Sequence, residues 1–220
     1  MEGEASEDPG AGLKGHASRV VSWLADLKSY LRMTGGGEIA RRYIAMNGFD
    51  GISTALGVVL GLALGGASDP RVIVNACFGA GVAMAVSGLW GAYIAERAER
   101  KREMDELESH MKRDLSGSVL ERASEATAIL LSLVDGLAAG IPALIPAVPF
   151  VFASWGWIAM ETAVSSSIIL CVVLLFLLGV YVGWVSGENP WLHGVLMVCT
   201  GVVIVVLLSL LLPGNSIGVG

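Results

Sequence analysis

From Arg42 to Gly66 the chain reads R-Y-I-A-M-N-G-F-D-G-I-S-T-A-L-G-V-V-L-G-L-A-L-G-G. As a helix, a run of this length crosses the hydrocarbon layer of a bilayer, which takes about 20 largely apolar residues. About a third of the way in stands Asp50. A charge at the centre of a membrane helix costs about 2.5–3.5 kcal/mol on insertion scales, so an intramembrane acid marks a candidate functional site and calls for a partner.

Composition agrees with the membrane reading. Of 220 residues, 54% are hydrophobic and 15% charged, against about 25% charged in soluble domains. Apolar blocks of near-span length recur at about Tyr43–Gly66, Val72–Ile94, Ala126–Ala153, Thr162–Val185 and Leu192–Leu212. The expected fold is an all-α membrane protein, a five-transmembrane helical bundle in the lipid bilayer. Its expected parts are a cytoplasmic segment 1–42, spans one and two in 43–95, a helical loop 96–125, spans three to five in 126–212, and a tail 213–220. Within the first part, apolar residues from Val20 to Leu31 recur at helical spacing, which predicts an amphipathic interfacial helix over 18–33. The Gly35-Gly36-Gly37 run after it is a hinge.

Basic residues set the orientation, because cytoplasmic loops are enriched in Lys and Arg. Lys14, Arg19, Lys28, Arg32, Arg41 and Arg42 precede span one, and Arg97, Arg100, Lys101, Arg102, Lys112, Arg113 and Arg122 lie between spans two and three. Both segments are therefore expected in the cytoplasm, and five spans put the C-terminus on the opposite side. Residues 1–15 have no basic start running into an apolar block, so no secretory signal is expected there. Without an organelle signal, the plasma membrane is the expected location.

Most of the charged residues lie in two mixed segments, 1–42 and 96–125, with no basic surface for nucleic acid. Cys77, Cys171 and Cys199 lie far apart in apolar blocks, and form neither a zinc signature nor a disulfide framework. No H-E-x-x-H motif occurs, so no enzyme is expected and no cofactor is called for.

A second intramembrane acid stands in span three, in L-V-D-G-L-A-A-G-I-P from Leu133 to Pro142. Counted from the cytoplasmic side, Asp50 is roughly eight residues deep and Asp135 roughly ten, or ~12 and ~15 Å at 1.5 Å per residue. Two carboxylates at one depth in a low dielectric need a cation between them, or one takes up a proton. That is the chemistry of a cation and proton exchanger. Asn47, Ser53, Thr54 and Met46 are candidate neutral partners.

In span one, Arg42, Gly48, Asp50, Gly51 and Thr54, with Val59 and Gly61 beyond, resemble, with one residue of slippage near its start, the R-x-x-x-x-G-x-x-D-G-x-x-T pattern of the vacuolar iron transporter family. Span two ends S-G-L-W-G-A-Y-I-A-E, similar to the family's S-M-x-x-G-E-Y, and Gly140-Ile141-Pro142 through Pro146 is similar to its glycine and proline cluster. The resemblance covers about residues 41–213. It implies a five-span exporter of divalent iron or manganese, with a metal-binding cytoplasmic loop and protons as the counter-ion. The family's ligating methionine and glutamate fall on Gly88 and Ala92. Met84 and Glu96, each one helical turn away on the same face, are candidate substitutes.

The loop after span two has no helix breaker before Gly117, so it reads as a continuation of that span. On it Glu99, Glu103, Glu106 and His110 share one face, and carboxylates with an imidazole suit Fe(II), Mn(II) or Zn(II). The same spacing also builds a solvated, salt-bridged face. Gly57, Gly61 and Gly65 recur every four residues in span one, a spacing that allows close helix approach and a homodimer. A related transporter of another substrate and a noncatalytic membrane scaffold remain alternatives.

Overall fold

The computed structural model describes residues 29–32, 34–112, 114–115 and 117–212. Its helices are α1 (Gly36–Leu64), α2 (Pro70–Met111), α3 (Val119–Leu144), α4 (Val148–Ser154), α5 (Met160–Ser186) and α6 (Pro190–Leu211). A 3-10 turn, Ile145–Ala147, joins α3 to α4. No strand occurs among the described residues, and five of the helical stretches are long and apolar enough to cross a membrane, α3 and α4 together forming one of them. The fold is an all-α multi-pass membrane bundle. The interfacial helix expected over 18–33 lies outside the described residues, apart from 29–32, which are helical.

Local sequence sets the helix boundaries. Asp69 and Asn189 cap α2 and α6, accepting from the Arg71 and Trp191 amides at 2.9 and 3.1 Å, with Pro70 and Pro190 following in the first turn. A short side-chain acceptor followed by proline is the favoured way to start a helix. Ser118 caps α3 through the Glu121 amide at 3.2 Å. The 42-residue α2 runs out of the apolar block through the charged Glu96–His110 stretch to Met111, and stops where Lys112 turns left-handed at φ 48°. The charged extension is thus one continuous helix with span two.

Close packing of α3 against its neighbours positions the site. A Cβ on Gly136 would run into the Ala85 carbonyl oxygen, and one on Gly51 into that of Ala139. Glycine there lets α3 lie backbone to backbone against both α2 and α1, the usual device where lipid supplies no hydrophobic drive. Gly57 and Gly61 behave otherwise, since nothing lies within 4 Å of a Cβ at either. Gly57 and Gly61 therefore make no close approach among the described residues. Beyond Pro142 the prolines turn α3 into the 3-10 link, and the buried Ser167 hydroxyl of α5 donates to the Pro146 carbonyl at 2.7 Å. That bond satisfies a carbonyl in the broken stretch.

Candidate functional site

A polar track runs between α1, α2 and α3. On α1, Tyr43, Asn47 and Asp50 follow at spacings of four and three, so they share one side of the helix. The Tyr43 hydroxyl donates to Glu96 Oε1 at 2.7 Å, and one turn deeper the Asn47 amide donates to Asp135 Oδ1 at 2.5 Å. Both carboxylates are buried, Glu96 at 8% and Asp135 at 7% exposure. Each neighbouring helix thus delivers one acid to α1.

The end of the track nearest the charged extension of α2 is held by Arg100, 6% exposed. Its Nη2 lies 3.7 Å from Glu96 Oε2, and its Nη1 donates to the Thr34 carbonyl and to Glu103 Oε2, both at 3.0 Å. Thr34 in turn meets the fully buried Thr127 through their hydroxyls at 3.0 Å. Arg100 therefore ties the turn before α1 to α2. Removing one member of a buried ion pair strands the other charge, at a cost of about 3–5 kcal/mol. Arg100→Ala is expected to lower the unfolding temperature in detergent strongly, and Arg100→Lys only partly to restore it; an unchanged melting curve for Arg100→Ala would refute this role.

Asp135 has one oxygen held and one free. Among the described residues Asn47 is its hydrogen-bond donor, and the bond goes to Oδ1. Oδ2 is turned toward α2, where a Cβ on Gly88 would lie 2.8 Å from it and 3.2 Å from the Gly136 Cα. The carboxylate occupies the space a side chain at position 88 would need.

Asp50, three residues beyond Asn47, stands about 4.5 Å further along the axis at 1.5 Å per residue. Its side chain is exposed, with no polar partner among the described residues. Thr54, Gly57 and Gly61 continue its stripe at helical spacing, and Gly57 and Gly61 face open space. A carboxylate does not rest against acyl chains at this depth without a cost of kilocalories. This face calls for water or protein.

The remaining residues singled out in the sequence fall elsewhere. Met84 is half-buried on α2, one turn from Gly88. Glu99, Glu103, Glu106 and His110 are exposed on the charged extension of α2. There Glu103 pairs with Arg100, Glu106 pairs with Arg102 at 3.1 Å, and His110 Nδ1 lies 2.7 Å from the Glu106 carbonyl oxygen. Among the described residues, no three His, Cys, Asp or Glu side chains come together to hold a metal ion. Tyr43 and Arg100 were not singled out as site residues. The signal for them is spacing: Tyr43 is four before Asn47, and Arg100 is four after Glu96, itself eight after Gly88.

Fold and site together define a multi-pass helical membrane protein with paired acids buried between its first three spans. Residues 101–211 match the VIT family, and an uncharacterised protein of Methanocaldococcus jannaschii is 34% identical over 184 residues, 82% of this chain and 92% of that relative. The chain belongs to the VIT family, whose members are membrane metal-ion transporters.

Proposed function

We propose that the protein carries Fe(II) or Mn(II) out of the cytoplasm in exchange for protons, with Asp50 and Asp135 as the carboxylates that hold the ion. The observation that carries this reading is the buried Asp135, bound at one oxygen by Asn47, which lies one helical turn before the exposed Asp50 on α1. Oxygen donors of this kind suit hard and borderline divalent ions. When protons reach the two acids from the far side, their charge is lost and the ion leaves. Glu96 and Met84 flank the route, and Glu99, Glu103, Glu106 and His110 form an acidic face on which ions collect before they enter.

Two carboxylates and an amide do not complete a coordination sphere, so the reading includes a second copy of the chain. The stripe Asp50, Thr54, Gly57 and Gly61 supports a homodimer through α1, since it offers open glycine positions and an acid that lipid would not tolerate. Gly57→Cys, in a Cys199→Ser background, is expected to give disulfide-linked dimers in oxidised membranes. Monomer alone, at full expression, would count against the interface.

Transport itself is tested in proteoliposomes. Mn(II) flux is expected to follow an imposed pH gradient and to fall when an ionophore collapses it. Flux indifferent to the gradient would remove the exchange mechanism.

A further inference from the structure

We infer that the groove between the charged extension of α2 and the first turns of α3 holds the headgroup of a phospholipid that carries a primary amine, with the phosphate on the α2 wall and the ammonium on the α3 wall. This lipid partner is independent of ion transport.

The groove is built from opposite charges that do not meet. Its cavity of about 360 Å³ has Arg97 and Lys101 on the α2 wall, Glu121 and Glu125 on the α3 wall, and Asp105 at the end further from the apolar block of α2. Among the described residues no ion pair within 4.0 Å joins any of these cations to any of these acids. The floor is polar as well. Arg100 and Ser124 line the cavity at 6% and 8% exposure. Arg100 Nε and Nη2 and the Ser124 hydroxyl make no hydrogen bond among the described residues. Buried polar groups normally find a partner in the protein or in an ordered molecule beside it, so this floor calls for a ligand.

The position of the groove fits a lipid. Tyr93 and Trp90 stand one and two helical turns before Arg97, with ring centroids 6.3 Å apart, and Arg97 Nη1 donates to the Tyr93 hydroxyl at 3.4 Å. Tryptophan and tyrosine belong to the membrane–water interface, which puts Arg97 and Lys101 at phosphate level. Ile94, three residues before Arg97, and Ile129, four after Glu125, continue the two walls toward the membrane as exposed apolar surface on which acyl chains can lie.

The chemistry selects the headgroup. Arg97 and Lys101 supply the charge-assisted donors that a phosphate takes. An ammonium with three N–H groups donates to carboxylates, and Glu121, Glu125 and Asp105 supply them. A glycerol headgroup would leave the acidic wall facing a phosphate with no cation between them. A choline headgroup has the charge but no N–H to donate. The groove therefore favours phosphatidylethanolamine.

The test is native mass spectrometry of the full-length protein mixed with equal amounts of phosphatidylethanolamine, phosphatidylcholine and phosphatidylglycerol. Phosphatidylethanolamine is expected at the highest occupancy. Lys101→Ala is expected to lower that occupancy about fivefold, the effect of one basic residue on lipid phosphate. Asp105→Asn combined with Glu125→Gln is expected to erase the preference over phosphatidylcholine. All three side chains are exposed, so unfolding temperatures should match wild type. Arg102→Ala removes a neighbouring cation outside the cavity lining and is expected to leave the occupancy unchanged. Equal retention of the three lipids, or equal losses in Lys101→Ala and Arg102→Ala, would overturn the inference. So would displacement of the lipid by Mn(II) or by soluble phosphoethanolamine, which would give the groove to an ion or to a free phosphate ester.

Discussion

Asp50→Ala is expected to cut Mn(II) flux into proteoliposomes by more than about 100-fold while leaving the fold intact. The size of the effect follows from the role. Loss of a residue that merely orients a metal ligand costs about 10–100-fold in affinity or activity, and Asp50 is proposed as a ligand itself. The fold should survive because the Asp50 side chain is exposed and touches no polar partner among the described residues. Removing a charge from an apolar span lowers the cost of insertion, so expression should match or exceed wild type. Asp50→Glu keeps the charge but lengthens the arm, and partial flux is expected from it. Wild-type flux in Asp50→Ala would exclude this acid from the route.

Gly136→Val is expected to abolish recovery of folded protein. At this position α3 touches α2 through backbone: a Cβ would collide with the Ala85 carbonyl oxygen and lie 3.0 Å from both the Leu89 amide nitrogen and Cβ. Backbone atoms cannot rotate out of the way, so the helices must separate. Overpacking of a tight contact costs about 1–3 kcal/mol and occasionally more, and here it also moves Asp135, one residue earlier on α3, away from Asn47. Gly79→Ala is the control, because nothing lies within 4 Å of its Cβ. That variant should elute as a folded species in size-exclusion chromatography, and Gly136→Val should aggregate. Equal behaviour of the two would mean that the α2–α3 contact is looser than described.

Much of the fold was legible because a membrane helix announces itself by length and hydropathy. The five apolar blocks became five spans, and the unbroken charged run after Ile94 became the extension of α2. Which face of each helix turns inward was harder to read. Apolar residues cover both the lipid-facing and the packed sides, so the pattern that orients a soluble helix is weak here. Asp50 and Asp135 read alike in the sequence as an acid followed by glycine, yet one is exposed and the other buried against Asn47. The glycines divide in the same way: Gly51 and Gly136 admit a neighbouring backbone, whereas Gly57 and Gly61 face open space.

The site was legible in part. Intramembrane acids stand out in any apolar span, and Glu96 was already a candidate as a displaced ligand. Its burial, the Tyr43 hydrogen bond and the Arg100 pairing depend on how α1 leans on α2, which a single helix pattern does not encode. The Gly88 and Asp135 relation is of the same kind. The two are far apart in sequence, yet a Cβ at position 88 would come 2.8 Å from Asp135 Oδ2.

Metal binding to purified protein tests the shared carboxylate site most directly. Isothermal titration of Mn(II) into wild-type protein is expected to show saturable binding at neutral pH, lost in Asp50→Asn and equally in Asp135→Asn, with both variants folded. Wild-type binding retained in either variant would contradict a site built from the two acids together.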